Sequence, residues 1–71
     1  MELEYDPEAD AAYIRLAGHI GAGGVAKTYP CDPLEVDGMI NLDFDAQGRL
    51  VGIEVLGASK KLPPEALTHT D

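Results

Sequence analysis

The chain is short of the residues that most metal, redox and nucleic-acid chemistry requires. It has one cysteine, two histidines, no tryptophan and five basic residues among 71. Cys31 has no partner for an internal disulfide, which fits a reducing compartment. One cysteine and two distant histidines, His19 and His69, cannot supply the four ligands of a structural zinc site within one chain. Five bases against thirteen acids leave a formal charge of −8, and the bases are scattered apart from Lys60-Lys61. Nucleic-acid binding needs a cationic patch that displaces counterions from phosphates, so neither DNA nor RNA is expected as a partner. No run of about 18 apolar residues is present, so no membrane-spanning helix is expected. The opening MELEYDPEAD is acidic and lacks the charged-then-apolar layout of a secretion signal. These absences together lead to the expectation of a cytoplasmic protein.

What is present is a strand pattern. Apolar residues make up 45% of the chain, which argues against disorder. Leu3 and Tyr5 alternate with Glu2 and Glu4, and Ile14 and Leu16 alternate with Tyr13 and Arg15. Period-2 alternation marks half-buried strands. Between them, Asp6-Pro7-Glu8-Ala9-Asp10 predicts a turn capped by the Asp6 carboxylate. Gly18 to Gly24 holds four glycines and reads as a flexible connection. Val25 to Tyr29 is a third strand, ended by Pro30 and Pro33, and Asp37-Gly38 is a further turn signal.

Met39 to Leu56 is the most informative stretch, two strands joined at Asp45-Ala46-Gln47-Gly48. A four-residue loop sets Phe44 opposite Arg49, Leu42 opposite Val51 and Ile40 opposite Ile53. All the large apolar residues then share one face. A three-residue loop shifts the pairing by one and splits them across both faces. The first register is therefore expected, with Tyr13, Met39 and Leu50 on the second face. After Gly57, Leu62-Pro63-Pro64-Glu65-Ala66-Leu67 predicts one short helix that begins at proline. The tail Thr68 to Asp71 is expected to fray.

The motifs that suggest chemistry each meet a plainer structural reading. Asp43, Asp45, Gln47, Gly48 and Glu54 occupy positions 1, 3, 5, 6 and 12 of a calcium-loop pattern. In the expected register Glu54 sits opposite Met39, about 13 Å along the strand from Asp43, too far to share an ion. A hairpin turn needs the same Asp and Gly for backbone reasons. The glycine cluster lacks the spacing of a phosphate-binding loop and no helix follows it. Cys31 lies between two prolines with no positioned histidine, so it reads as a small half-buried residue, not a nucleophile. The acid pairs Glu8 with Asp10 and Asp43 with Asp45 lack the apolar cleft that would separate their pKa values. The sequence therefore assigns no catalytic residue, no cofactor and no metal ligand, and the protein is read as not an enzyme.

Two stretches together resemble a known family. Tyr5-Asp6-Pro7-Glu8-Ala9-Asp10-Ala11-Ala12-Tyr13-Ile14-Arg15-Leu16 is similar to the opening motif of a small prokaryotic family, the domain of unknown function 2283. Leu42-Asp43-Phe44-Asp45 with Gly48-Arg49-Leu50-Val51-Gly52-Ile53-Glu54-Val55-Leu56 resembles its second motif, and Ala58-Ser59 and Leu62-Pro63 also fit. Ala12 stands where the family often has leucine, and the middle loop is longer. The resemblance implies a small β-sheet domain with a terminal helix and carries over no catalytic residue. Some members are associated with neighbouring basic toxins, which implies an antitoxin role by analogy.

The expected fold is a single α+β or mainly β domain over residues 1–71, an antiparallel meander of four or five strands with one short C-terminal helix. Its expected core is Leu3, Ile14, Leu16, Val25, Ile40, Leu42, Phe44, Val51, Ile53, Val55, Leu62 and Leu67. A chain this small covers its apolar surface poorly and often recruits a second copy. The expected function is a non-enzymatic protein-interaction module that forms a homodimer. Two alternatives stand beside it: an acidic antitoxin-like partner of a small basic protein, and a metal- or ligand-binding protein.

Overall fold

The computed structural model describes residues 1–68. The strands are β1 (Glu2–Asp6), β2 (Ala11–Arg15), β3 (Lys27–Pro30), β4 (Met39–Phe44) and β5 (Leu50–Leu56). The helices are α1 (Pro33–Val36), α2 (Ala58–Lys61) and α3 (Pro64–Leu67). No helix among the described residues is long and apolar enough to cross a membrane. The fraying expected of the tail falls, beyond Thr68, on positions 69–71, which lie outside the described residues.

The expected antiparallel sheet forms with five strands, in the order β1-β2-β5-β4-β3. This is not a simple meander. After β2 the chain passes to the far edge and returns through β4, so that β5 pairs with both β2 and β4. Composition explains the order. LVGIEVL is the most apolar strand and takes the centre. Lys27-Thr28-Tyr29-Pro30 is exposed throughout and takes an edge, where a residue without an N–H is tolerated. Pro30 was expected to end that strand. It lies within it instead, and the pairing continues through the Cys31 N–H, which donates to the Ile40 carbonyl at 2.8 Å.

The β4–β5 register differs from the expected one by two residues. Ile40 opposes Val55, Leu42 opposes Ile53 and Asp43 opposes Gly52, whereas Phe44 opposes Leu50. Val51 is the extra residue of a β-bulge. The turn itself is the tighter one: the Asp45 N–H donates to the Arg49 carbonyl at 2.9 Å, and Gly48 adopts φ 79°. That turn alone would have put Leu42 opposite Gly52. The added residue at the bulge restores the parity. Ile40, Leu42, Ile53 and Val55 therefore share a face, as the apolar pattern requires.

Three short helices form where one was expected. α1 begins with Asp32, whose carboxylate accepts the Leu34 N–H at 3.0 Å, followed by Pro33. It ends at Asp37 with φ 51°. Lys61 ties α2 to it, its Nζ donating to the Val36 carbonyl at 2.8 Å. α2 has no capping side chain of its own, because Gly57 precedes it. Asp10 serves instead. Its carboxylate accepts the Ser59 N–H at 2.9 Å and the Ser59 hydroxyl at 2.8 Å, and its carbonyl accepts the Ala58 N–H at 2.9 Å. The Tyr5 hydroxyl also donates to Asp10, at 2.7 Å. These bonds hold the Asp10 carboxyl below the usual carboxylate range and fasten the β1–β2 turn to the chain that leaves β5.

The core is smaller than expected. The buried apolar residues are Ala12, Val51, Val55 and Ala58. Leu3, Tyr5, Ile40, Ile53 and Leu62 pack around them without being fully covered. Leu16 and Val25, both expected inside, are 37% and 36% exposed. Two alanines set the scale: Ala12 and Ala58 let α2 approach β2 closely, and among the described residues no large side chain is fully buried. A matched pair of truncations tests this placement. Val55→Ala should cost about 2 kcal/mol, the transfer of two methyl groups plus a cavity. Val25→Ala should cost no more than about 0.5 kcal/mol. Urea unfolding of both variants checks the difference, and equal costs would contradict the observed core.

Candidate functional site

The sheet has two unlike faces. The face that carries the helices is apolar, with Leu3 and Tyr5 from β1, Ile14 from β2, Ile53 and Val55 from β5, and Ile40 and Leu42 from β4. The opposite face is polar and its side chains bond to one another. Arg15 donates to Glu2 and, at 3.1 Å, to Glu4. Asn41 Nδ2 donates to Glu54 at 2.8 Å. Asp43 accepts from the Tyr13 hydroxyl at 2.8 Å and from the Thr28 hydroxyl at 2.6 Å. All five strands are thereby linked side chain to side chain: β1 to β2, β2 to β4, β4 to β3 and β4 to β5.

Tyr13 is the unusual member. Its ring starts on β2, crosses β5 and ends on β4. Gly52 makes the crossing possible, since a Cβ at that position would collide with the phenol oxygen and ring edge. Glycine in a central strand often marks such a close approach. Burial, and then the hydrogen bond to Asp43, push the Tyr13 phenol up to about 12. A phenol held that high keeps its proton throughout the neutral range. The pair can order three strands and can present a rigid polar surface, but it is poorly poised to move a proton.

The residues of the calcium-loop pattern are engaged separately. Glu54 opposes Asn41, not Met39 as expected, so it lies two ladder positions from Asp43, about 7 Å and not 13 Å. Separation alone therefore does not prevent convergence; hydrogen bonding commits each acid elsewhere. Asp45 is turned into its own hairpin, accepting the Gln47 and Arg49 N–H groups and Arg49 Nε. Those bonds lower its carboxyl pKa. Among the described residues no three His, Cys, Asp or Glu side chains are grouped to hold an ion. Cys31 is half-buried and unpaired. His19 is exposed in the glycine-rich connection.

Two shallow depressions lie against the sheet, one of them bordered by Ala66 of α3. One, of about 450 Å³, is lined by Met1, Glu2, Leu3, Ile14, Leu16, Ile53 and Ala66. The other, of about 440 Å³, lies beside the hairpin turn, among Lys27, Phe44 and Asp45. Sequence reading placed Tyr13, Met39 and Leu50 together as a second, sticky face. Tyr13 and Met39 do share the polar face, Tyr13 bound to Asp43 and Met39 56% exposed at the start of β4, whereas Leu50 lies beyond the bulge opposite Phe44.

One family model, described as a protein of unknown function (DUF2283), matches residues 2–59 of the chain. No curated protein and no solved structure matches it.

The Tyr13 bridge generates two expectations. Gly52→Ala should destabilise the fold strongly in the presence of Tyr13 and much less in Tyr13→Ala, because the obstruction is the ring. Additive costs in a double-mutant cycle would show that the two residues do not meet. The second concerns pH. The folded pKa of Tyr13 lies above its ordinary 10.0, so the folded state holds this proton more tightly than the unfolded chain does. The contribution is complete below about pH 10 and is lost as pH rises toward 12. Urea midpoints should therefore fall across that window and fall less in Tyr13→Phe, in which only the raised phenol of Tyr5 still contributes.

Proposed function

The chain belongs to the DUF2283 family, and for this member we propose a non-enzymatic interaction module of the cytoplasm that acts as a self-associated pair. One observation carries the reading: among the described residues no large side chain is fully buried within a single copy. The helices α2 and α3 pack on this face, yet Leu3, Ile14 and Ile53 stay only partly buried and Leu16 is 37% exposed. A sheet of this size gains stability by laying such a surface against another chain. The polar face supports the same reading from the other side. The carboxylates of Glu2, Glu4, Asp43 and Glu54 are engaged in bonds between strands, which serves rigidity.

Charge favours a second reading, an acidic partner for a basic protein. The polar face carries Glu2, Glu4, Asp6, Asp43 and Glu54 against Arg15 alone, within a chain of net charge −8. Such a surface steers cationic partners toward it. A neighbouring reading frame that encodes a small basic protein would favour this role, and a large or acidic neighbour would argue against it.

Sedimentation equilibrium from low to high micromolar concentration tests the main reading. The expected mass is twice that of the 7.5 kDa chain. A clean monomer at the highest concentration would refute self-association.

A further inference from the structure

We propose that the free edge of β1 is a docking site for an extended basic segment of another protein, which adds to the sheet as a sixth strand. The inference rests on the second reading above, an acidic partner for a basic protein, and gives it a place and a mode of binding.

The backbone shows which edge is open. The Leu16 N–H donates to the Val51 carbonyl at 2.9 Å. Backbone groups alternate in direction along an antiparallel strand, so Ala12 and Ile14 also bond toward β5, and Ala11, Tyr13 and Arg15 bond toward β1. Their partners Asp6, Glu4 and Glu2 are thereby used. Leu3 and Tyr5 turn their N–H and C=O groups away from the sheet, and among the described residues nothing bonds to those groups. The far edge differs. The Cys31 N–H is bonded to β4, so Lys27 and Tyr29 also bond inward, and the outward positions of β3 are Thr28 and Pro30. Proline has no N–H, which closes that edge to a further strand. An added strand takes its affinity from unpaired backbone groups and its specificity from the side chains that alternate beside them.

The side chains select the occupant. Glu2, Glu4 and Asp6 are exposed along the polar side of β1, whereas Leu3 and Tyr5 pack on the apolar side. Arg15 bonds to both Glu2 and Glu4, and one base against three acids leaves the edge negative. A second copy of β1 laid antiparallel about Glu4 would set Glu4 against Glu4 and Glu2 against Asp6. Like charges directly opposite destabilise a strand pair. A segment that alternates Lys or Arg with apolar residues reverses each of those contacts and sets its apolar residues beside Leu3 and Tyr5.

The probe is a short peptide of alternating lysine and valine with both ends capped. Its control has the same composition, with the lysines in one block and the valines in another. Each is titrated into the full chain at low salt, and amide exchange is followed by NMR. The alternating peptide should slow exchange at the Leu3 and Tyr5 amides and leave Thr28 unchanged. The block peptide should bind about tenfold more weakly. Glu4→Lys, at an exposed position, should weaken the alternating peptide about fivefold, and added salt should weaken it further. Absence of binding by either peptide sinks the acidic-partner reading itself. Equal binding of the two peptides, protection at Thr28 in place of Leu3 and Tyr5, or full affinity in Glu4→Lys overturns the docking edge and leaves that reading standing. Leu3 and Tyr5 amides already protected before any peptide is added would show a second copy on this edge, which overturns the choice of occupant.

Discussion

One inserted residue in a strand sets the geometry on which the other features depend. The hairpin turn at Asp45 to Gly48 is the tight kind that, continued into a regular ladder, would divide the apolar residues of β4 and β5 between two faces. The bulge at Val51 cancels that offset. It does more than rescue the hydrophobic pattern. It sets Gly52 opposite Asp43, so that a tyrosine arriving from β2 can cross the gap left by the missing side chain and reach the carboxylate beyond. The apolar face and the polar bridge on its reverse are two consequences of the same displacement.

The two faces then divide the work. The polar face holds the strands in order through paired side chains, with Tyr13, Asp43 and Thr28 spanning most of the sheet. The apolar face is only half closed. Its closed half is built on small residues, Ala12 against Ala58, and is fastened by Asp10, which reaches from the first hairpin to cap the helix after the last strand. Anchoring at that end lets two four-residue helices, α2 and α3, remain in place despite being too short to be stable alone. Elsewhere on this face Ile14 and Ile53 are only partly buried and Leu16 is 37% exposed.

Much of this was legible residue by residue. Alternation placed Leu3 and Tyr5 opposite Glu2 and Glu4, and the Asp6 cap of the first turn is present, accepting the Glu8 N–H at 3.0 Å. The signals for α1 were also in the sequence. Asp32 before Pro33 is a start and Asp37-Gly38 is a stop, yet a four-residue helix has no periodicity to announce it. Pro30 misled because proline forbids a ladder bond only where its nitrogen faces a partner, and on an edge strand it faces water. The roles of Asp10 and Gly52 left no local signal, for each acts on a residue that is distant in sequence.

The amino-acid sequence by itself determined the existence of five extended segments, the sign of the surface charge and which residues alternate together, because these follow from side-chain period and composition. Only the tertiary structure decided that β5 lies at the centre, that the pairing shifts by one at Val51, that alanines form the tightest contact and that Tyr13 lies over Gly52. Those outcomes depend on strands meeting across long stretches of chain. Local propensity is silent about which segment becomes a neighbour, and it is the neighbour that determines whether a leucine is covered, a glycine is required or a carboxylate is already taken.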